Sequence, residues 1–146
     1  MGLVQQILLG TLVLGLCALI HVGMIAFSIP VFGKVSARVP KTARAPLRIC
    51  VFLSLAVFVL VFAHTLQIWT WALTFLEVAD IPDLETGFYF ATVTYTTLGY
   101  GDIVLGPEAR ILATFCAITG LLTFGISTAF LIGVLSKILP DISDNS

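Results

Sequence analysis

Residues 94–102 read Thr-Tyr-Thr-Thr-Leu-Gly-Tyr-Gly-Asp and lie inside a very apolar chain. Gly99 and Gly101 permit backbone angles that other residues rarely adopt, because glycine has no Cβ. The uncharged stretch around them, 86–101, is shorter than the roughly 20 residues that a membrane-spanning helix needs. We therefore expect it to enter the membrane and return on the same side. Non-helical backbone at that depth is tolerated only where protein buries it or where it lines a water-filled path.

Charged residues divide the rest of the chain into membrane spans. The 146-residue protein is 59% hydrophobic and only 10% charged, whereas soluble domains carry about 25% charged residues. Each of the three stretches 1–33, 49–76 and 111–136 lacks a charge and is long enough to cross a bilayer. The sequence therefore predicts an all-α membrane protein with three transmembrane helices and a re-entrant segment between the second and the third.

The segment from Thr97 to Gly101 resembles the selectivity filter of potassium channels, which usually reads Thr-Val-Gly-Tyr-Gly. In that family, backbone carbonyls turned toward one axis replace the water of a K⁺ ion. The resemblance implies that the re-entrant segment is a pore helix followed by a filter, with Leu98 and Tyr100 pointing away from the axis. It also implies K⁺ coordination along the segment, at Thr97, Leu98, Gly99 and Tyr100.

The third span extends the resemblance to the inner helix of two-helix potassium channels. Gly120 and Gly125 match that helix and are implied gating hinges, although small residues also let membrane helices pack closely. Both roles stay open for Gly120, and packing is favoured for Gly125. The resemblance further implies a water-filled cavity lined by Thr96, Leu121, Phe124, Thr128 and Ile132.

The pore helix departs from the family beside the filter. The family's paired Trp is Tyr89-Phe90 here. Tyr89 keeps a hydroxyl that could bond Asp102 behind the filter, whereas Phe90 offers no donor to Tyr100. The predicted filter support therefore consists of Asp102, Tyr89 and Phe90.

Two histidines lie inside the predicted spans, where ionisable groups are functional candidates. For His21 and His64 a neutral ring bonded to a neighbouring helix is favoured, and the alternative is a proton sensor at His64. Gln67 follows His64 by three residues and is its candidate partner. Trp69 and Trp71 are predicted to lie in the aromatic belt at the membrane interface.

The predicted layout places an N-terminal transmembrane helix at 1–33 and a basic cytoplasmic loop at 34–48. The potassium channel pore domain follows at 49–138 and contains the outer helix, the pore helix at 84–96, the filter at 97–101 and the inner helix at 108–138. Asp83 is the candidate N-cap of the pore helix. A short cytoplasmic tail occupies 139–146.

Orientation follows from the basic residues. Five of the seven Lys and Arg residues lie in 34–48, and the positive-inside rule places such a loop in the cytoplasm. We therefore expect a multi-pass protein of the cell membrane with its N-terminus outside and its C-terminus in the cytoplasm.

The chain contains one filter segment, and a four-fold ring of carbonyls therefore needs four chains. The sequence predicts a homotetrameric potassium-selective channel that conducts passively, with no voltage sensor and no cytoplasmic ligand domain. The alternatives are a non-selective cation channel and a regulatory or transport subunit of a potassium uptake system. The predicted partners are other copies of the chain, membrane lipids and K⁺, and nucleic acid is not expected at a net charge of -1.

An enzymatic role finds no support in the sequence. No pairing of a nucleophile with a base is visible, and no residues stand at metal-ligand spacing. We therefore predict no catalytic activity and no cofactor, with K⁺ as the permeant ligand.

Overall fold

The structure is a computed structural model that describes residues 1–40 and 45–143. It contains four helices: α1 (Leu3–Arg38), α2 (Ala45–Val78), α3 (Leu84–Tyr95) and α4 (Arg110–Ser143). Three segments are long and apolar enough to cross a membrane, namely Leu3–Arg38, Pro46–Val78 and Arg110–Ile138. No strand occurs among the described residues. The predicted fold class is confirmed.

The first turns of α1 and α4 are tied together, so the two helices run in the same direction. The Gln6 side chain donates to the carbonyl of Pro107 at 3.0 Å and accepts from the N–H of Ile111 at 3.1 Å. The second bond satisfies an amide that the start of a helix leaves without an intrahelical partner. At the opposite end, Phe32 of α1 stacks on Phe52 of α2 with ring centroids 6.2 Å apart. Consequently α2 runs antiparallel to both helices, and the N-terminus shares a side with the α2–α4 connection.

The short helix α3 packs between α2 and α4 and begins as predicted. Asp83 is its N-cap, and its carboxylate accepts from the N–H of Thr86 at 2.8 Å. This hydrogen bond also lowers the pKa of Asp83 below its usual value. At the other end Thr96 caps α3 rather than belonging to it, so the helix is one residue shorter than the predicted 84–96.

Both described ends of the basic segment are helical, at 34–38 and at 45–48, which corrects the predicted loop at those residues. α1 continues to Arg38 and α2 begins at Ala45. Charge marks where the hydrocarbon of the bilayer ends, whereas a helix ends only where its backbone hydrogen bonding stops. Lys34 and Arg38 therefore belong to α1 and Arg48 to α2, while Lys41 and Arg44 lie outside the described residues.

The inner helix differs from its predicted limits in the same way. α4 begins at Arg110 rather than at 108 and continues to Ser143. Most of the predicted tail 139–146 is therefore helical, and 144–146 lie outside the described residues.

Trp71 lies in the protein core, so its predicted place at the membrane interface is wrong. The side chain is fully buried, and its indole N–H donates to the hydroxyl of Thr119 in α4 at 3.2 Å. A buried indole needs such an acceptor, and Thr119 supplies it from a helix far away in sequence. Trp69 is 39% exposed, and its interfacial role stays a prediction.

Candidate functional site

Residues 97–101 follow the carboxyl end of α3, and their φ angles alternate between positive and non-positive values. The φ angle is 60° at Thr97, 52° at Gly99 and 78° at Gly101, and it is not positive at Leu98 or Tyr100. The glycine positions agree with the sequence-based expectation. Thr97 was missed, because a β-branched residue at positive φ is an outlier that no propensity indicates.

The amide groups of this segment bond back to α3. The N–H of Thr97 donates to the carbonyl of Thr94 at 2.9 Å, and those of Leu98 and Gly99 both donate to Val93, at 3.0 and 3.3 Å. No described residue donates a hydrogen bond to the carbonyls of 97–100. A backbone carbonyl needs some partner, so this row of oxygens is available to a cation or to water.

The side chains of the same segment lack support within the subunit. Leu98 is 56% exposed and Tyr100 is 68% exposed. The subunit itself therefore gives little support to the two side chains that are predicted to point away from the axis. Adjoining exposed apolar side chains are typical of an interaction surface, so any support for them has to come from outside the subunit.

The structure contains the predicted hydrogen bond behind this segment. The hydroxyl of Tyr89 donates to the Oδ2 atom of Asp102 at 2.6 Å. This bond is the main reason why the pKa of Asp102 lies below its usual value. Phe90 lies elsewhere, since it is buried with its ring edge-on to Phe75 of α2 at 5.0 Å. Phe90 therefore braces α3 against α2 and does not contact Asp102.

The predicted cavity residues are all exposed in the subunit, and those of α4 share one helix face. Thr119, Thr123 and Ser127 lie on the buried side of α4, and the cavity residues of this helix lie on a different side. Residues three or four apart share a helix face, so the two sets separate cleanly. The exposed set consists of Thr96, Leu121, Phe124, Thr128 and Ile132.

The two glycines of α4 stand in different surroundings. A Cβ on Gly120 would overlap the backbone carbonyl oxygen of Tyr95, where α3 ends. Gly120 therefore serves close packing of α4 on α3. A Cβ on Gly125 would meet nothing within 4 Å, so the packing role favoured for Gly125 is not observed within the subunit.

His64 has two partners, and Gln67 is not one of them. Its Nδ1 atom lies 2.8 Å from the hydroxyl of Tyr95, and its Nε2 atom lies 3.0 Å from that of Ser127. Gln67 instead bonds His21 of α1, with its Nε2 atom 2.9 Å from Nδ1 of the ring. This corrects the predicted Gln67–His64 pair, while a proton-sensing role for His64 stays a prediction.

Tyr95 is the residue that sequence reasoning missed. It is fully buried, and its hydroxyl contacts Gln67 at 3.0 Å and Thr123 at 2.7 Å in addition to His64. A signal was present in the recurrence of hydroxyl residues every four positions on α4, at Thr119, Thr123 and Ser127. Such a polar stripe on an apolar helix indicates buried hydrogen bonding to a neighbouring helix.

Comparison with known proteins agrees with this geometry. Residues 54–137 match a family model described as an ion channel, and the match covers more than half of the chain. The chain belongs to this ion channel family. It is accordingly a multi-pass membrane protein and a channel rather than an enzyme. The matched residues include α3, the segment 97–101 and most of α4, but not α1.

Curated relatives match over a shorter region. The potassium voltage-gated channel subfamily A member 10 of Mus musculus and that of Homo sapiens are each 47% identical over 49 residues, which is 33% of this chain and 9% of theirs. The potassium voltage-gated channel protein shk-1 of Caenorhabditis elegans is 36% identical over 50 residues, 34% of this chain and 9% of the relative. The chain thus spans about a tenth of the length of these relatives. No solved structure matches it significantly.

Proposed function

We propose that the protein is a potassium-selective channel in which residues 97–101 form the selectivity filter. The observation that carries the proposal is the row of carbonyls described above. Residues of positive φ alternate with residues whose φ is not positive along 97–101, as suits a filter whose successive carbonyls face one axis, and the N–H groups of 97–99 bond to α3. Oxygens held in this way can replace the hydration shell of K⁺. The potassium channels among the relatives support the same ion.

The proposed channel is a homotetramer. One subunit supplies one strip of carbonyls, and a closed ring around an ion takes four such strips. The exposure of Leu98, Tyr100 and the predicted cavity residues supports assembly, because each of them lies on a surface that the subunit itself leaves uncovered. Neighbouring copies would cover Leu98 and Tyr100, and the face with Phe124 and Thr128 would line a cavity on the symmetry axis.

The proposed orientation places the α2–α4 connection outside the cell. The N-terminus lies on the same side, since Gln6 contacts Pro107. The other side of the subunit carries the basic residues Lys34 and Arg38 at the end of α1 and Arg48 at the start of α2. Clusters of basic residues favour the cytoplasmic side.

The direct test uses purified protein in liposomes and planar bilayers. Under bi-ionic K⁺ and Na⁺ conditions we expect a reversal potential set by K⁺. Equal permeability to both ions would favour a non-selective cation channel, an outcome that Leu98 in place of the usual Val would explain. No current and no flux, with the tetramer intact, would favour a regulatory subunit instead.

Removal of the Tyr89 hydroxyl should weaken the filter from the outer side. The hydrogen bond from Tyr89 lowers the folded-state pKa of Asp102 below its usual value, so support from the ionised carboxylate is present at neutral pH and is lost as external pH falls through that lowered pKa. In Tyr89→Phe the hydrogen bond is absent, so the pKa of Asp102 should rise and the acid-induced loss of current should begin at a higher pH. The measurement is current decay against external pH. Asp102→Asn is the matched control and should decay quickly at every pH, and an unshifted Tyr89→Phe profile would contradict this role.

Opening should depend only weakly on voltage. A membrane potential does about 2.3 kcal/mol of work per charge per 100 mV, so steep dependence needs several moving charges. The spans 1–33, 49–76 and 111–136 carry none, so the candidates are Arg110 and Lys137, which flank the third span, and ions in the filter. Single-channel recording at a series of potentials measures the gating valence. A valence of several charges per tetramer would overturn this expectation.

A further inference from the structure

A closed ring of hydrogen bonds joins all four helices in the middle of the subunit. It consists of His21 from α1, His64 and Gln67 from α2, Tyr95 from α3 and Ser127 from α4. The contacts around the ring are Gln67–His21 at 2.9 Å, His21–Ser127 at 3.2 Å, Ser127–His64 at 3.0 Å, His64–Tyr95 at 2.8 Å and Tyr95–Gln67 at 3.0 Å.

The ring satisfies every member with the hydrogen atoms in a single order. Gln67 fixes the direction of the ring. Its Nε2 atom donates to the carbonyl of Ala63 at 3.2 Å, which identifies it as the amide nitrogen. An amide nitrogen cannot accept, so it must also donate to His21. His21 then donates to Ser127, the serine to His64, the imidazole of His64 to Tyr95, and the tyrosine back to Oε1 of Gln67. Each imidazole acts as one donor and one acceptor, which is the capacity of its neutral form. Bonds that follow one another in this way strengthen each other.

The member nearest to the proposed filter is Tyr95, the last residue of α3. Thr96 and Thr97 follow it directly, and the N–H groups of residues 97–99 donate hydrogen bonds to α3 carbonyls about one turn earlier. On its other side the backbone of Tyr95 is pressed against Gly120. Any displacement of this tyrosine therefore moves the base of the filter.

We propose that α1 is part of the filter support, and that His21 positions the filter through the hydrogen-bonded ring that includes Tyr95. The family model begins at residue 54, so α1 lies outside the part of the chain that makes it a channel. A helix that merely packed on the pore would need only apolar contacts. α1 instead carries a fully buried imidazole that bonds side chains on α2 and α4. His21 is thus a positioning residue that acts through Gln67 and Ser127.

This inference rests on the proposed function only in naming residues 97–101 as the filter, and its first readout does not need conduction. Amide hydrogen exchange of the assembled protein in nanodiscs, followed by mass spectrometry, reports how firmly the N–H groups of 97–99 are held. Ser127→Ala removes one hydroxyl and with it two hydrogen bonds of the ring, those to His64 and His21. Exchange in a peptide spanning 96–102 should then quicken by at least about twofold, since the loss of one net hydrogen bond alone gives about two- to tenfold.

The chain offers a matched control and a rescue. Ser28→Ala removes another buried serine hydroxyl, but that hydroxyl donates only to the carbonyl of Ile25 in the same helix at 2.6 Å. It should leave exchange at 96–102 unchanged. Ser127→Thr keeps the hydroxyl and should restore most of the protection. Equal effects of Ser127→Ala and Ser28→Ala, or faster exchange spread evenly over α1 and α2, would show a packing role and overturn the proposal.

The second readout tests whether the first helix and the filter are coupled. His21→Leu and Tyr95→Phe are combined in a double-mutant cycle, with the decay of K⁺ current as the measured rate. The two side chains share no hydrogen bond with each other, and both bond Gln67, so the double variant should decay no faster than Tyr95→Phe alone. A cycle of Ser28→Ala with Tyr95→Phe should be additive within about a factor of two. Additivity in the His21 cycle would overturn the coupling between α1 and the filter. A wild-type channel without K⁺ selectivity would instead refute the proposed function, and the exchange result would then decide whether the ring supports residues 97–99.

Discussion

Replacement of Gly101 by alanine is expected to abolish the K⁺ current while the tetramer still assembles. The φ angle of this glycine is 78°, and a Cβ in left-handed backbone costs roughly 1–2 kcal/mol per residue. The strain recurs in every subunit of the proposed tetramer. The space around the position is open, since an added Cβ meets nothing within 4 Å. The strain is therefore confined to the backbone of the filter and should not prevent folding.

Bi-ionic recording and size-exclusion chromatography together measure this outcome. Gly125→Ala is the matched control, because its surroundings are equally open but its φ is not positive. It should retain both selectivity and assembly. Retained K⁺ selectivity in Gly101→Ala would contradict the assignment of residues 97–101 as the filter.

Alanine at Gly120 should destabilise the protein far more than alanine at Gly125. The added Cβ at Gly120 meets the carbonyl oxygen of Tyr95, which is backbone and cannot rotate away. Overpacking of this kind costs about 1–3 kcal/mol. At Gly125 the methyl group meets open space, and alanine in a helix interior is favoured over glycine by up to about 1 kcal/mol.

Thermal unfolding of the detergent-solubilised protein distinguishes the two variants. Gly120→Ala is expected to lower the melting temperature and to speed the decay of current, because Tyr95 adjoins the filter. Gly125→Ala should leave the melting temperature equal or raised. If both variants altered opening alike and left stability unchanged, the two glycines would be hinges, as the inner-helix resemblance implies.

Sequence reasoning went furthest where chemistry is local. The spans follow from the spacing of charges, and the left-handed glycines follow from a short motif. The bond from Tyr89 to Asp102 was predicted from the resemblance to potassium channels, because Tyr89 stands where that family has a Trp and keeps a hydroxyl. Helix ends were less accessible, because α1 and α4 continue past the charges that mark the membrane surface.

Contacts between distant helices could not be derived in this way. Gln67 has His64 as a neighbour on its own helix, yet its amide bonds His21 of α1. Trp71 is of a residue type common at membrane interfaces but lies in the core, where its indole bonds Thr119. Both outcomes depend on how each helix is rotated about its axis, which the pattern of an almost uniformly apolar span does not record. The positive φ of Thr97 has a different, local origin, since this residue lies between the end of α3 and the two left-handed glycines.

The bond between Gln6 and the start of α4 has a mechanical consequence. The inner helix is pinned at Ile111 by Gln6 and again at Ser127 by His21. These hydrogen bonds restrain the start and the middle of α4, whereas beyond Ser127 the contact of α4 with α1 includes the apolar ring pair Phe130 and Phe32, 6.0 Å apart. A cleft of about 630 Å³ lies there, between the far ends of α1, α2 and α4, with Phe52 and Phe130 in its wall. The first helix thus holds the start and the middle of α4 by polar contacts, and the cleft lies where apolar side chains of the two helices face each other.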